Sequence, residues 1–436
     1  MTELLKETRS RCPVCSAPCP ATVRRVSGTP ETSRLFRTCP DHGSFDACIS
    51  SDARFYWLSK GGSGCGGGAC CAGEGGPAGT LGCNAEPGDA LGVHEKLSTC
   101  LALIEIVNSC NLECPTCYAS SGQSVDVDAV PLENIRARIQ GVIDRKGKIE
   151  ILQLSGGEPT LHPQFFKLLE WCQNHPSIEY VLLNTNGVKI ACDDGFAARL
   201  TTAFRRGKFQ IYLQFDGPQE SGQRALRGAD LRDVRLRALE RCSEGGIPVT
   251  LAMTVTRENL ASLWETVEFG LARQHVRGVS FQPVFGSGRG GLGDEPRLNV
   301  ADVILNTVAQ SAGRLRFEDF TPLPCGDPNC ATIGYLLRTP DGIRSISDFL
   351  DFQNVQGFLR DRVRYSIDDL ARCGCESEPL GAILKNLEIN GNSAFRLFIK
   401  PFMDAWTWDE DRIDRCCTHV IRPDGSLDSF CRYYAG

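Results

Sequence analysis

From residue 101 onward, short apolar runs alternate with longer stretches in which apolar residues recur at helical spacing. The runs are LALIEIV (101–107), IEILQLS (149–155), YVLLNTN (180–186), FQIYLQF (209–215), VTLAMTV (249–255) and GVSFQPV (278–284). Helical patterns fall between them near 131–146, 162–175, 193–206, 230–244 and 258–273. Strands joined by crossover helices run parallel, and runs this apolar are buried on both faces. The pattern predicts an α/β fold: six parallel strands curling into a partial (β/α)6 TIM-like barrel over 101–296. Active sites of such barrels collect at the C-terminal ends of the strands.

The flanking regions read differently. Residues 1–60 predict short cysteine-bearing turns around a metal, a rubredoxin-like or zinc-knuckle-like domain. The stretch 61–100 opens on GGSGCGGGACCAGEGGPAG, too poor in apolar side chains to build a core, so ligand bonds must order it. Residues 297–436 hold helical patterns interrupted by PLPCGDPNC, RCGCE and DRCCTH, and predict a cluster-bearing cap over the substrate.

Composition adds a compartment and removes a partner class. With 436 residues and 42% apolar content, the chain is long enough for one catalytic domain with attachments. Lys and Arg are scattered over a chain of net charge −6, which speaks against nucleic acid as a partner. The N-terminal MTELLKETRSRCPVC lacks the apolar core of a signal peptide, and no run approaches the ~18 apolar residues of a spanning helix. A cytoplasmic location is expected. Thiols stay reduced there, so the 23 cysteines read as metal ligands rather than disulfides.

CNLECPTC directly follows the first predicted barrel strand and places Cys110, Cys114 and Cys117 at the catalytic rim. A cubane iron-sulfur cluster held by three thiolates keeps one iron open for chemistry; a remote fourth cysteine would instead complete an electron-transfer cluster or a zinc site. SGGEP, at the end of the second strand, supplies Gly156 and Gly157 for close backbone approach and Glu158 as a partner for an ammonium group. Together the two motifs resemble the radical S-adenosylmethionine (radical SAM) superfamily. The resemblance implies that Cys110, Cys114 and Cys117 ligate a 4Fe-4S cluster whose open iron binds S-adenosylmethionine. It further implies contacts from Gly156, Gly157 and Glu158 to the methionyl ammonium, from Tyr118 to adenine, and from Asn184, Thr185 or Asn186 to the ribose. Gln282 and Pro283 are candidates for the adenine shelf. Tyr118 also reads as a core aromatic, and Asn186-Gly187 as plain turn chemistry.

The other cysteines form three sets. Cys12, Cys15, Cys39 and His42 suit one tetrahedral ion, iron or zinc, with Cys19 and Cys48 competing for the fourth place. Cys65, Cys70, Cys71, Cys83 and Cys100 offer thiols for an auxiliary cluster. Cys325, Cys330, Cys373, Cys375, Cys416, Cys417 and Cys431 offer another in the cap. Cys172, Cys192 and Cys242 read as plain buried thiols. CPVC…CPDHG, YLQFDG, FTPLPCGDPNCATIGY and FMDAWTWDEDRIDRCCTHVIRPDGSLDSFC extend the likeness to the radical SAM group that includes tetraether lipid synthase and the radical methylase of methanopterin biosynthesis. That group implies one or two auxiliary 4Fe-4S clusters beside a mononuclear site, and an external one-electron reductant of flavodoxin or ferredoxin type. Carbon–carbon bond formation at an unactivated carbon is the expected reaction. Coupling of lipid alkyl chains leads, with FLDFQNVQGFL and AFRLFIKPFMDAW as tunnel or ordinary core, and a lipid substrate would bring a peripheral membrane contact. The alternative is C-methylation of a small soluble substrate such as a pterin, and a non-catalytic electron carrier stands third.

Overall fold

A computed structural model describes residues 1–58, 99–124, 126–323, 325–349 and 393–436. The six expected barrel strands are present as β5 (Leu101–Val107), β6 (Ile149–Gly156), β7 (Ile178–Thr185), β8 (Phe209–Gln214), β9 (Val249–Val255) and β10 (Val276–Pro283), each paired in parallel with the next. Helices α1 (Leu132–Lys146), α2 (Phe165–Asn174), α6 (Arg232–Glu244) and α7 (Leu263–Leu271) return the chain between strands. Between β7 and β8 the helix expected near 193–206 is present as α4 (Asp194–Ala203), preceded by an unforeseen short α3 (Val188–Cys192); Asp193 between them caps α4 by accepting from Phe196 N–H at 2.9 Å. Helix α5 (Gln223–Arg227) follows β8.

Burial along β7 and β8 alternates with a period of two. Val181, Leu183, Phe209, Ile211 and Leu213 belong to the main hydrophobic core, which the helices also join. Leu182, Asn184, Gln210, Tyr212 and Gln214 turn the other way and line a cavity inside the curl of the sheet.

In the C-terminal part the described residues add strands to the sheet. β14 (Ala394–Ile399) adds to β10, and β15 (Thr418–Ile421) adds to β5, both in parallel. The sheet therefore gains a strand at each flank of the six-strand core and then continues antiparallel, on one side through β12 (Thr332–Thr339) with β11 (Thr321–Pro322) and β13 (Gly342–Ser345) paired to it, on the other through β16 (Leu427–Ser429). Among the described residues its two ends do not pair, and the barrel is open. The AFRLFIKPFMDAW segment is thus mainly a strand: Phe395, Leu397 and Ile399 pack in the core, and Phe398 and Phe402 reach the cavity.

The N-terminal region is more regular than cysteine-bearing turns. β1 (Thr2–Arg11), β2 (Pro18–Val26), β3 (Thr32–Cys39) and β4 (Gly43–Ser50) form a four-stranded antiparallel sheet. Among the described residues no helix is long and apolar enough to cross a membrane.

Candidate active site

The chain leaves the C-terminal end of β5 as the loop that carries Cys110, Cys114 and Cys117, and all three line a single cavity of about 730 Å³. The loop is tied down from several directions. Cys110 N–H donates to Gly122 O at 2.9 Å, and Thr116 Oγ1 donates to Leu226 O at 3.1 Å. Arg289 clamps it twice, with Nε donating to Cys114 O and its backbone N–H to Cys117 O, both at 3.0 Å.

Burial pushes the Cys110 thiol up to about 12, so a thiolate at that position needs positive charge beside it. An iron cluster would supply that charge. Side chains gathered tightly enough for a single ion lie elsewhere among the described residues: Cys12, Cys15, Cys39 and His42 in one place, Cys100, Cys325 and Cys417 in another. The wider spread of Cys110, Cys114 and Cys117 fits a polynuclear cluster.

Gly156, at φ +123°, and Gly157 end β6 against the chain just ahead of Cys110. A Cβ on Gly156 would stand 2.2 Å from Val107 O, and one on Gly157 2.1 Å from Ser109 O. The close approach is therefore between two strand-end loops, whatever these glycines also offer a ligand. Gly157→Ala is expected to push 107–110 aside, costing about 1–3 kcal/mol as overpacking and lowering the iron bound by the adjacent cysteines. A urea midpoint and an iron assay check this; a variant with wild-type values in both would show that the contact is unimportant.

Glu158 is 1% exposed, and burial raises its pKa against the pull of four donors. Oε1 accepts from Thr160 N–H (3.1 Å), Thr160 Oγ1 (2.7 Å) and Thr185 Oγ1 (2.7 Å), while Oε2 accepts from Asn186 N–H (2.8 Å). Through these bonds the side chain fastens the loop after β6 to the loop after β7, while Oε2, with a single donor, keeps a lone pair for the expected ammonium contact.

The remaining expected ligand contacts gather around the same cavity. Asn184 donates to Ser155 Oγ at 3.2 Å, Asn186 donates to Asn111 Oδ1 in the cysteine loop at 2.7 Å, and Gln282 donates to Tyr212 Oη at 2.9 Å. Tyr118 sits in an aromatic cluster with Phe285, Phe430 and Tyr434. The core reading of Tyr118 and a place on the cavity wall both hold.

For the C-terminal cysteines the structure redraws the sets. Cys100 is joined to Cys325 by a disulfide, with Cys417 beside the pair. Cys100 therefore meets members of the C-terminal set; its expected partners Cys65, Cys70, Cys71 and Cys83 lie outside the described residues, as do Cys373 and Cys375. The reason is strand pairing. β5 begins at Leu101 and pairs with β15 at Thr418, so the residues just ahead of each strand meet, and Cys100 N–H donates to Cys417 O at 3.1 Å. The disulfide also departs from the expectation that every cysteine here would be a ligand. Cys325, Cys330, Cys416, Cys417 and Cys431 all line the cavity that holds Cys110, Cys114 and Cys117. Cys192 is exposed, whereas Cys172 and Cys242 are buried as expected.

In the N-terminal sheet, Cys12, Cys15, Cys39 and His42 converge within 4.8 Å of one another. Cys19 is buried next to them but turns its thiol to Ala17 O at 3.4 Å, and Cys48 is not part of the group.

Three basic groups at the site carry no signal in the sequence: Arg289, Arg227 and Lys400. Arg227 meets Asp216 of the FDG motif at 2.7 Å. Lys400 follows β14, lines the cavity and reaches Thr418, placing a cation near Cys416 and Cys417.

Comparison with known proteins bears on these features. Residues 104–270 match the family model of the Radical SAM superfamily, and residues 4–51 that of the HMPTM N-terminal zinc ribbon domain. The chain is 27% identical to a 7,8-dihydro-6-hydroxymethylpterin dimethyltransferase of Methanocaldococcus jannaschii, over 98% of this chain and 93% of that protein. The mycofactocin maturase MftC of Mycobacterium tuberculosis is 28% identical over 37% of this chain and 39% of its own. Among solved structures, Streptococcus suis SuiB bound to S-adenosylmethionine gives a TM-score of 0.40 at 16% identity, covering 49% of this chain and 48% of that one.

Proposed function

We propose that this chain, which belongs to the radical SAM superfamily, methylates a carbon of a small, hydrogen-bonding heterocycle of pterin type. A reduced 4Fe-4S cluster with an open iron would supply the electron for cleaving S-adenosylmethionine to a 5′-deoxyadenosyl radical able to take hydrogen from an unactivated carbon. Cys110, Cys114 and Cys117 would hold that cluster, and an external one-electron reductant would serve it. Tyr118, Gly156, Gly157, Asn184, Asn186 and Gln282 are the proposed contacts to S-adenosylmethionine. Cys330, Cys416, Cys417 and Cys431, with Cys100 and Cys325 once reduced, are proposed as auxiliary-cluster ligands.

The observation that carries the choice of substrate is the whole-length likeness to a protein named for methyl transfer to a pterin. The cavity agrees with it. Gln153, Asn184, Gln210, Tyr212, Thr250 and Gln282 line its wall, and each amide offers both a donor and an acceptor to a ring edge. The Gln153 side chain has no hydrogen-bonded partner among the described residues, and the residue faces the cavity between Leu103 and Leu182 in register. An alkyl chain would leave that amide unanswered, at a cost of about 1–3 kcal/mol. Methyl transfer therefore moves ahead of lipid coupling, reversing the order the sequence suggested.

The test incubates reduced enzyme and S-adenosylmethionine with a dihydropterin and, separately, with saturated glycerolipids, and weighs the products. Pterin gaining methyl units is the expected result. Coupled lipid chains lacking two hydrogens would restore the other reading.

A further inference from the structure

Arg37, in β3, is 3% exposed, and none of its three guanidinium nitrogens has a hydrogen-bond partner. A buried cation without a partner is among the costliest arrangements a fold can hold. Its neighbours indicate what answers it. The guanidinium stands 6.0 Å from the ring centre of Phe45 and 5.5 Å from that of Trp406. Phe45, which the guanidinium faces, packs against the buried Cys12, Cys19 and Cys39, and the thiols of Cys19 and Cys12 and the carboxylates of Asp404 and Asp46 act on Arg37 through their charge. Both carboxylates are engaged by other arginines: Asp46 accepts from Arg34 at 2.6 Å, and Asp404 from Arg297 at 2.7 Å. What remains is the thiol side.

Cys12 belongs to the group in which Cys15, Cys39 and His42 converge, on the segment that matches a zinc ribbon. Three thiolates and a neutral imidazole around a divalent ion leave a net charge of −3 + 2 = −1. One guanidinium balances that charge. Trp406, whose ring the guanidinium faces, lies in a segment bound to the same sheet through three more of its residues. Lys6 Nζ meets Asp409 at 2.7 Å and Asp411 at 2.9 Å, Thr8 Oγ1 donates to Asp409 at 2.7 Å, and Arg11 covers the Trp408 ring at 4.0 Å. Phe402, at the start of that segment, lines the catalytic cavity.

We infer that Arg37 is the buried counter-charge of the N-terminal metal centre and that, through Trp406, it couples metal loading to the order of residues 402–414 beside the catalytic cavity. The coupling does not depend on the identity of the substrate. It gives the N-terminal sheet a task, holding one wall of the active site, that requires no electron transfer.

Zinc affinity of the full-length protein, measured by competition with a chromogenic chelator, tests the first half. Arg37→Gln is expected to weaken zinc by about 10–100-fold, the usual effect of losing a group that orients or neutralises metal ligands. Arg37→Lys keeps the charge but loses the planar fork, and should weaken it by about 3–10-fold. Unchanged affinity in Arg37→Gln, or in Arg37→Lys should the first variant fail to fold, overturns the assignment. Amide hydrogen exchange of 402–414 tests the second half on the unaltered protein: removing zinc should speed it. Exchange there that ignores zinc, while residues 12–42 loosen, overturns the coupling.

Discussion

Changing Cys110, Cys114 and Cys117 together to alanine is expected to abolish 5′-deoxyadenosine formation and to remove the iron of one cluster, leaving the N-terminal metal in place. The expectation rests on the convergence of three thiols from one strand-end loop on a single cavity. The burial that drives the Cys110 thiol up to about 12 means that this sulfur has little reason to ionise without iron. Loss of all three should therefore give a stable apo-loop, since neutral alanines suit a partly buried site. Two measurements decide the matter: iron and zinc by elemental analysis, and 5′-deoxyadenosine by chromatography after reduction. Unchanged iron together with unchanged cleavage would place the cluster elsewhere.

The largest stability effect is expected from Asp216→Asn. Asp216 is fully buried, at φ +62° just past β8, and its carboxylate accepts from Arg227 Nε (2.7 Å) and Nη2 (2.9 Å), Arg235 Nη2 (3.0 Å), Thr254 N–H (3.0 Å) and Gln214 Nε2 (2.8 Å). Asparagine tolerates the left-handed conformation as well as aspartate does, so the substitution isolates the charge. It strands two buried guanidinium groups, and breaking a buried pair in this way costs about 3–5 kcal/mol. Helix α5, which carries Arg227 and supplies Leu226 O to the cysteine loop, should loosen with it.

The same substitution has a pH signature. Burial alone would raise the Asp216 pKa, but Arg227 and Arg235 hold the carboxyl well below its usual range. A group whose folded pKa is depressed stabilises the fold above its unfolded pKa, about 3.9, and that contribution is lost as pH falls below it. Wild type and Asp216→Asn should thus differ most at neutral pH and converge under acid. Denaturant midpoints across that range check the sign; a gap that widens on acidification would mean the carboxylate is not the stabilising form.

How much of this was legible beforehand varies by element. The six runs between 101 and 284 reappear as β5 to β10 because strands buried on both faces leave continuous apolar stretches, and the helices between them leave a helical period. β1 to β4 left no such trace. One face of an antiparallel sheet meets water, and in TELLKETRSR the charged residues mask the strand. β14 lay in plain view as AFRLFI, yet nothing near it in the chain indicates that it pairs with β10, more than a hundred residues upstream.

At the candidate site the same division holds. The three-cysteine loop and the glycine pair were visible as motifs, since both depend on spacing within a few residues of a strand end. Glu158 was visible too, but its work of joining two loops depends on Thr185 and Asn186, which only the adjacency of β6 and β7 brings to it.

By itself, then, the sequence determined the parallel six-strand core, the loop of Cys110, Cys114 and Cys117, and the knuckles around Cys12 and Cys39, because periodicity and ligand spacing are local properties of a chain. Tertiary structure alone decided that Cys100 meets Cys325 and Cys417, that the two cysteine sets share one cavity with a polar wall, and that Arg37 lies buried against the rings of Phe45 and Trp406. Each of those depends on which strands pair and which surfaces dock across hundreds of residues. Such choices are made by the summed burial and hydrogen bonding of whole elements, and the residues they bring together carry no record of them in their own neighbourhoods.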